Sequence, residues 1–381
     1  MKETCDVIVV GCGGVGSAAL YSLASRGLNV VGIDRYSPPH NFGSSHGHTR
    51  AIRKAYFEHP DYVPLLQRAY ELWRNLEGIS GKNLMHLVGA LEVGPPDGIL
   101  INGVRQSAEM HGLPMEFLSI KDASELFPGF SFTDAFEIAY EKDAGYLLVE
   151  DCIDSFLNTS VSLGAKVLTE ATVHDWSVTP GGSVTVKTST GSIEANAMVL
   201  AAGPWASALI GDIKGVQLQL RRKHMHWYSN NNPSYFSTSG FPVFAVELPA
   251  EDNHRVYYGF PQLDASGVKL AEHTGGVVVE NPAAIRNAVD PDLKTTEQFQ
   301  RRFLPNISGG LSKQEACLYT ISHDENFYID THPKYKNIAY AAGLSGHGFK
   351  FSPVLGEILA DLVSEGQTMH KIDFLSANRE G

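Results

Sequence analysis

Apolar residues recur along the chain in short runs that predict alternating strands and helices. Residues 6–10 and 29–33 each begin with one polar residue and continue as an apolar, largely β-branched run, typical of a strand buried on both faces of a parallel sheet. Between them, residues 17–27 are mostly good helix formers and end at a glycine. Strand-like runs return at 165–168 and 198–203. This alternation predicts an α/β fold in which the chain enters one parallel sheet more than once.

Residues 217–320 have a different pattern. Short aromatic strands are predicted at 226–228, 243–246, 256–260 and 268–270. Their composition favours a mostly antiparallel sheet. The sequence therefore predicts a second domain interleaved with the first.

The segment between the first strand and the first helix has the GxGxxG sequence of residues 11–16. Gly11 permits a tight turn, Gly13 lets the backbone approach a pyrophosphate, and Gly16 lets the helix pack on the strand. Asp34, at the end of the second strand, can accept hydrogen bonds from a ribose diol. We therefore predict a dinucleotide site, with NAD and FAD both open and NADP disfavoured. The alternative is a glycine-rich turn in an unrelated α/β domain.

The loop that follows carries the cations Arg50, Arg53 and Lys54. From Thr49 the pattern predicts a helix, which would place Arg50 and Arg53 on one face. Beside a dinucleotide turn, these cations indicate an anionic partner, either a substrate carboxylate or a flavin phosphate. A solvated basic turn is the alternative.

Two later stretches hold candidate functional groups. Lys269 lies in an apolar strand with His273 four residues on, so a buried Lys269 would be a functional candidate. A lysine at an exposed strand edge is the alternative. Near the carboxyl end, the glycine-rich turn 343–348 opens a helix, and Lys350 lies in the predicted first turn. Such a helix N-terminus favours anions.

Composition narrows the class of protein. Of 381 residues 43% are apolar, which suits a folded core, and the net charge of −12 disfavours a nucleic-acid partner. Four scattered cysteines predict no disulfide scaffold and a reducing, cytoplasmic location. No signal peptide or membrane span is predicted, so we expect no membrane partner. His46 and His48 could form a metal pair, but no third ligand follows at a recognisable spacing, so we predict no metal site.

Several segments, taken in order, resemble the monomeric sarcosine oxidase family, which includes N-methyltryptophan oxidase. They are GCGGVG (11–16), PPHNFGSSHGHTRAIRKAY (38–56), VYYGFP (256–261), VKLAEHT (268–274), EACLYT (315–320) and GLSGHGFKF (343–351). The resemblance covers nearly the whole chain. It implies a Rossmann-like FAD-binding domain of the glutathione-reductase type, formed by residues 1–84, 146–216 and 321–381. A substrate domain on a mostly antiparallel or mixed sheet would comprise residues 85–145 and 217–320.

The resemblance also implies an activity. A secondary α-amino acid, N-methyl or cyclic, would be oxidised to an imine that water hydrolyses, while O2 is reduced to hydrogen peroxide. The partners would be a small amino acid and O2, and the protein would be a monomer. N-methyltryptophan, pipecolate, proline and glycated amino acids are alternative substrates. The sequence also leaves open a flavin dehydrogenase with another acceptor, an NAD-dependent dehydrogenase and a flavin-binding protein without activity.

Functional residues follow from the same resemblance. FAD contacts would come from Gly11, Gly13, Gly14, Val15, Gly16, Asp34, Arg35, Ser44, Ser45, Thr49, Arg50, Val173, Gly346, Gly348, Phe349 and Lys350. Cys317 would carry the flavin through a thioether to its 8α-methyl group. Lys269 would assist oxygen activation, with the further catalytic residues Arg50, His46 and His273. Arg53 and Lys350 would hold the substrate carboxylate, and the substrate would contact Tyr258, Tyr319 and Ala245.

Three positions depart from the family pattern. The family loop usually has GSHHGDTR, whereas this chain has Ser45 in place of a histidine and His48 in place of an aspartate. Ala245 stands where a sarcosine oxidase tends to have methionine. The hairpin between Pro249 and Val256 is a few residues longer. These changes predict a larger pocket and favour larger N-methyl or cyclic amino acids over sarcosine.

Overall fold

The computed structural model describes residues 3–249, 254–285 and 290–379. The longer hairpin predicted after Pro249 falls on residues 250–253, which lie outside the described residues. In chain order the strands are β1 (Glu3–Val10), β2 (Val30–Ile33), β3 (Thr49–Ile52), β4 (Met85–His86), β5 (Ala90–Gly94), β6 (Glu116–Leu118), β7 (Glu137–Glu141), β8 (Gly145–Leu148), β9 (Lys166–Leu168), β10 (Val173–Val178), β11 (Val184–Thr188), β12 (Gly191–Leu200), β13 (Leu218–Tyr228), β14 (Val243–Pro249), β15 (His254–Phe260), β16 (Val268–Glu272), β17 (Val277–Val278), β18 (Leu311–Ser322), β19 (Tyr328–His332) and β20 (Tyr335–Ala342).

The helices flank these strands. They are α1 (Gly14–Ser25), α2 (Tyr62–Ser80), α3 (Ile99–His111), α4 (Ile120–Leu126), α5 (Val149–Ser162), α6 (Ala206–Leu209), α7 (Leu293–Phe303) and α8 (Ser352–Ser364). In the described part of the chain, no helix has both the length and the apolar composition needed to cross a bilayer.

The first sheet carries the predicted dinucleotide turn. Within the described residues its order is β10-β11-β12-β1-β2-β9, with β20 paired to β12 and β19 to β20. β1 pairs in parallel with both β2 and β12, and β12 pairs in parallel with β20. Because β1 has neighbours on both edges and α1 packs nearby, Ile8 and Val9 are fully buried. The predicted re-entry of the chain into one parallel sheet is confirmed.

The second sheet contains the aromatic strands. Within the described residues its order is β17-β13-β16-β15-β14-β5-β7-β6, with β18 paired to β13. Its pairs are antiparallel except for the parallel pair of β14 and β5. One face is covered by α7, where Tyr257 and Phe299 stack at 4.5 Å between ring centroids. The prediction of a mostly antiparallel sheet is confirmed. The face of the sheet opposite α7 can line a binding site.

A third, small sheet corrects one prediction. Residues from Thr49 onward do not form a helix; they form β3, which pairs antiparallel with β8 and places Arg50 opposite Leu147. The partner strand is nearly a hundred residues away in sequence, and burial of Ile52 against the core outweighs local helix propensity. Arg50 and Arg53 therefore do not share a helix face.

The predicted domain division can be compared with the sheets. The strands of the first sheet come from residues 3–33, 166–200 and 328–342, and those of the second from residues 90–141 and 218–322. The small sheet joins β3, β4 and β8, of which β4 and β8 lie near the predicted boundaries at 84 and 146. The division into two domains stays a prediction.

Candidate active site

Two glycines of the turn after β1 are required by close backbone approaches. Gly11 has a φ of +87°, and a Cβ there would lie 2.5 Å from the carbonyl oxygen of Ala201. A Cβ on Gly16 would lie 1.7 Å from the carbonyl oxygen of Gly11. The first glycine turns the chain and the other lets α1 pack on the strand, as predicted.

A cavity with an empty volume of about 1360 Å³ lies at the N-terminus of α1. Gly13 faces it, and a Cβ on Gly13 would meet only the Ser45 Oγ, at 3.9 Å. Asp34 also faces it and is buried: its Oδ2 accepts a hydrogen bond from Cys12 N at 2.8 Å, and its Oδ1 accepts one from Tyr36 N at 2.9 Å. The first cavity therefore combines open backbone, a helix N-terminus and an oriented carboxylate.

Most of the predicted cofactor contacts line this first cavity. They are Gly11, Gly13, Gly14, Val15, Asp34, Arg35, Ser44, Ser45, Arg50, Val173, Gly346, Gly348 and Phe349. The predicted contacts that do not line it are Gly16, Thr49, Cys317 and Lys350. Sequence reasoning missed Trp205, whose ring lies 5.3 Å from the Arg35 guanidinium, because a single tryptophan after a strand carries no specific signal.

A second cavity, with an empty volume of about 770 Å³, lies on the free face of the second sheet. It shares Arg50, Tyr319, Gly346 and Phe349 with the first cavity. Its lining includes all five predicted substrate residues, Arg53, Lys350, Tyr258, Tyr319 and Ala245, together with His273. The structure therefore places the predicted substrate contacts in one space that adjoins the first cavity.

Arg53 is paired with two acidic residues that the sequence analysis did not single out. Its Nη2 donates to Glu58 Oε2 at 3.0 Å and to Glu58 Oε1 at 3.2 Å, and its Nε lies 3.1 Å from Glu92 Oε1. Burial alone would lower the pKa of Arg53 and raise that of Glu58. The charges outweigh burial, because Glu58 and Glu92 raise the pKa of Arg53, and Arg53 lowers the pKa of Glu58 to about 2. Glu92 could have been found as the one acid inside the apolar run of β5.

Lys350 lies in the second cavity, in a short 3₁₀ turn that precedes α8 and not in the helix itself. Its Nζ donates to the carbonyl oxygen of His347 at 2.8 Å and to Tyr56 Oη at 3.5 Å. Burial, helped by the charge of Arg53, lowers the pKa of Lys350 to about 7. Its charge near neutral pH is therefore set by what occupies the cavity.

The aromatic part of the cavity wall is uncharged. Burial and the nearby His347 lower the pKa of His273 to about 3, so this imidazole is neutral at physiological pH. Tyr258 Oη and Tyr319 Oη lie 3.5 Å apart, and the His273 ring lies 5.6 Å from the Tyr319 ring, between centroids. Aromatic faces of this kind attract ammonium groups.

Lys269 is buried, so the alternative of an exposed strand-edge lysine is wrong. Its Nζ donates to the carbonyl oxygens of Gly47 at 2.7 Å and Thr49 at 2.9 Å. Burial, with a smaller contribution from Arg50, lowers the pKa of Lys269 well below its usual value. Lys269 lines neither cavity, but it lies directly behind residues that do, on the strand next to Tyr258 and Phe260.

Cys317 is buried against the loop that borders the first cavity. Its Sγ donates to Ser44 O at 3.6 Å, and Arg50 Nη2 lies 3.7 Å from the sulfur. Burial raises the pKa of the thiol, but His46, Arg50 and Lys269 together bring it below its usual value. His46, held 3.4 Å from Glu315 Oε2, has its pKa raised to about 9 by Cys317 and Glu315 against the effect of burial. The charges of His46 and Cys317 thus favour each other.

His46 and His48, considered above as a metal pair, lie in different surroundings. His48 is half-exposed with Nδ1 3.6 Å from Asp264 Oδ2, whereas His46 is buried at Glu315. Elsewhere among the described residues, His224, Asp290 and Asp292 place ligand atoms within 4.8 Å of one another. The ammonium of Lys223 lies 3.4 Å from Asp292 Oδ2, so a protein cation already faces that carboxylate.

Similarity to known proteins agrees with the predicted dinucleotide site. Residues 6–362 match the family model described as FAD dependent oxidoreductase. Monomeric sarcosine oxidase of Bacillus sp. (strain NS-129) is 38% identical, over 100% of this chain and 98% of that protein. N-methyl-L-tryptophan oxidase of Yersinia pestis (strain Pestoides F) is 37% identical, over 93% of this chain and 94% of that protein.

Solved structures share the fold. NikD, an unusual amino acid oxidase essential for nikkomycin biosynthesis, superimposes with a TM-score of 0.86 at 23% identity, over 98% of each chain. L-proline dehydrogenase from P. horikoshii gives a TM-score of 0.84 at 21% identity, over 100% of this chain and 98% of that one.

A glycine-rich dinucleotide cavity that adjoins a cation-lined second cavity defines a nucleotide-dependent redox enzyme. The chain belongs to the FAD dependent oxidoreductase family, and its enzymatic class, its flavoprotein fold and its resemblance to the sarcosine oxidases are confirmed. The first cavity fits FAD, because open backbone at Gly13 and the N-terminus of α1 suit a pyrophosphate and Asp34 suits a ribose. These features suit NAD as well, and the family match is what identifies FAD as the nucleotide.

Proposed function

We propose that this flavoenzyme oxidises a secondary α-amino acid, N-methyl or cyclic, to an imine that water hydrolyses, with O2 reduced to hydrogen peroxide. The observation that carries the proposal is the second cavity, where buried Arg53 and Lys350 face neutral His273 and two tyrosines beside the FAD cavity. The sequence similarity to enzymes named for sarcosine and N-methyl-L-tryptophan supports the same class of substrate.

Bound FAD supplies the two-electron acceptor, and the chain supplies position and charge. Arg53 and Lys350 would hold the substrate carboxylate, since both are cations on the same cavity wall. Arg53 would exchange part of its pairing with Glu58 for the ligand, and Lys350 would gain a hydrogen bond and recover its charge. The tyrosine faces would hold the amine.

Lys269 and Cys317 would serve the cofactor. Lys269, buried behind the cavity wall, would stabilise negative charge that develops when O2 is reduced, with Arg50 beside it. Cys317 would attach FAD covalently, supported by its lowered pKa and by its contacts with Ser44 and Arg50, which line the FAD cavity. Residues 1–84, 146–216 and 321–381 would then form the FAD-binding domain. We infer a cytoplasmic monomer from the scarcity of cysteines and from the similarity to enzymes named monomeric sarcosine oxidase.

The size of the preferred substrate depends on the room beside Ala245 in the second cavity. Ala245 contributes only a methyl group to the second cavity, which supports substrates larger than sarcosine. A screen for peroxide release with sarcosine, larger N-methyl amino acids, pipecolate, proline and glycated amino acids would identify the preferred one.

The experiment that tests the function is anaerobic bleaching of the flavin absorbance by these amino acids, followed by peroxide measurement on admitting O2. Arg53→Met should raise KM by roughly 100-fold, because the carboxylate loses a charge-assisted pair. Lys54→Met is the matched control, since Lys54 lies outside both cavities. If no secondary amino acid bleaches the wild-type enzyme, the proposed function is wrong.

A further inference from the structure

A carboxylate stands on the cavity face of the second sheet. Glu92 on β5 is directly opposite Ala245 on β14, and Ala245 is in turn opposite Tyr258 on β15. All three side chains line the second cavity, and Glu92 is only 1% exposed. The small side chain of Ala245 leaves the space beside the carboxylate open.

Neither oxygen of Glu92 accepts a hydrogen bond from the described part of the chain. Arg53 Nε is 3.1 Å from Oε1, but its N–H does not point at the oxygen, and the terminal nitrogen Nη2 donates to Glu58. Glu247, two residues beyond Ala245 on β14, is a useful contrast. Its carboxylate accepts from Ile99 N at 3.2 Å and Leu100 N at 2.8 Å, at the start of α3. Backbone N–H groups therefore satisfy the carboxylate of Glu247, whereas Glu92 lines the cavity with two acceptor oxygens that no donor of the described chain reaches.

The position of Glu92 matches one feature of an amino acid. In an α-amino acid the nitrogen is bonded to the carbon that carries the carboxylate, so the two charges are neighbours. A substrate carboxylate held by Arg53 places the nitrogen within reach of a group 3.1 Å from that arginine. An ammonium donor there would supply the hydrogen bonds that Glu92 lacks, and the Arg53–Glu92 pair would complement the zwitterion.

We propose that Glu92 is a catalytic residue that binds the α-ammonium group of the substrate and accepts a proton from it. This inference rests on the proposed oxidation of a secondary amino acid in the same cavity. In the transfer, an N–H bond breaks and an O–H bond forms on Glu92, and the electron pair stays on the nitrogen. The neutral amine then has the lone pair that forms the C=N bond of the imine.

The surroundings of Glu92 suit this transfer. Burial, with the negative charges of Glu141 and Glu58, raises the pKa of Glu92 to about 8, while Arg53 and Lys350 act in the opposite direction. In a buried site, a neutral acid beside a neutral amine is favoured over a carboxylate beside an ammonium group, because burial penalises both charges. In the free enzyme at neutral pH the ionised form of Glu92 is therefore the minority form, and it is this form that binds the ammonium group and accepts its proton.

The test is Glu92→Gln, an isosteric change that removes the charge and the proton acceptor. We expect the rate of anaerobic flavin reduction at pH 8.5, where most of the wild-type Glu92 is ionised, to fall roughly 100-fold. The substrates are sarcosine, N-methyl-L-tryptophan and Nα-methyl-lysine. Raising the pH should restore the variant, because more of the amine then arrives unprotonated. Acetate, a carboxylate without nitrogen, should perturb the flavin spectrum with a nearly unchanged dissociation constant. Glu92→Asp should retain more activity than Glu92→Gln, and Glu116→Gln, exposed in the same sheet, should behave as wild type.

Three results would overturn the inference. One is wild-type reduction rates in Glu92→Gln. Another is a loss of acetate affinity as large as the loss of rate, because Glu92 would then only position Arg53. The third is a loss confined to Nα-methyl-lysine, because Glu92 would then serve a cationic side chain. Failure of the proposed function is a different result, since the wild-type enzyme itself would not be reduced.

Discussion

Lys269 donates hydrogen bonds to both oxygens of Thr49, at 2.9 Å to the carbonyl and 3.3 Å to Oγ1. The contact ties β16 of the second sheet to β3 of the small sheet, two strands more than 200 residues apart. Burial disfavours the ammonium form and lowers its pKa, while the carbonyl oxygens that surround Nζ favour that form. A lysine held in this way is fixed behind the cavity wall, and negative charge that develops beside it would favour its ammonium form.

Lys269→Met should separate the two halves of the reaction. We expect anaerobic reduction by substrate to stay close to wild type and reoxidation by O2 to slow by roughly 100-fold, because a preorganised charge is lost. Stopped-flow absorbance measures both rates. Lys313→Met is the matched control, because Lys313 also lies over the Trp227 ring but is partly exposed. Unchanged reoxidation in Lys269→Met would contradict the role of Lys269 in oxygen activation.

Cys317→Ser should release the flavin. The yellow colour should stay with acid-precipitated wild-type protein and appear in the supernatant of the variant, because Cys317 has a lowered pKa and contacts residues that line the FAD cavity. Cys152→Ser should keep the flavin, since burial raises the pKa of that thiol well above its usual value. A wild-type supernatant that is already yellow would contradict covalent attachment.

Lys350 predicts a pH dependence of carboxylate binding. Below about pH 7 the group is an ammonium in the empty cavity, and above that pH it is a neutral amine. The dissociation constant of acetate should therefore rise with pH above about 7, by up to roughly tenfold per pH unit. Ionisation of Glu92 near pH 8 acts in the same direction. Titration of the flavin spectrum measures the effect, and Lys350→Met should bind weakly with a flat profile between about pH 6 and pH 7.5.

Two glycines of the same turn should respond differently to alanine. In Gly13→Ala the added methyl group meets only Ser45 Oγ, so the free energy of unfolding of the apoprotein should stay within about 1 kcal/mol of wild type. FAD affinity should fall, because the methyl group projects into the cavity. Gly16→Ala should lower the free energy of unfolding by about 3 kcal/mol, because its Cβ overlaps Gly11 O. Chemical denaturation and FAD titration distinguish the two; equal stability losses would contradict the assignment.

Local requirements made part of this site predictable. Gly11 and Gly16 are needed by a turn and a helix contact formed within six residues, and Asp34 ends the next strand, so their spacing carries the information. The alternation of apolar runs likewise predicted the parallel sheet. The segments of the family resemblance then indicated FAD and the residues around it.

Prediction failed where the partner is distant. The helix expected from Thr49 is a strand because β8 pairs with it. Glu58 and Glu92 were missed, since one acid in a loop or in an apolar strand looks like many others. Their roles appear only once Arg53 lies between them.

The sequence by itself therefore determined the dinucleotide turn, the class of fold and the residue types available for chemistry, because these depend on near neighbours and on periodicity. Only the tertiary structure decided which of those residues meet. It brought Arg53, Glu92 and Lys350 into one cavity and placed Lys269 behind its wall. The physical reason is that pairing between strands far apart in sequence, and the burial that goes with it, sets both the neighbours of a charge and its pKa.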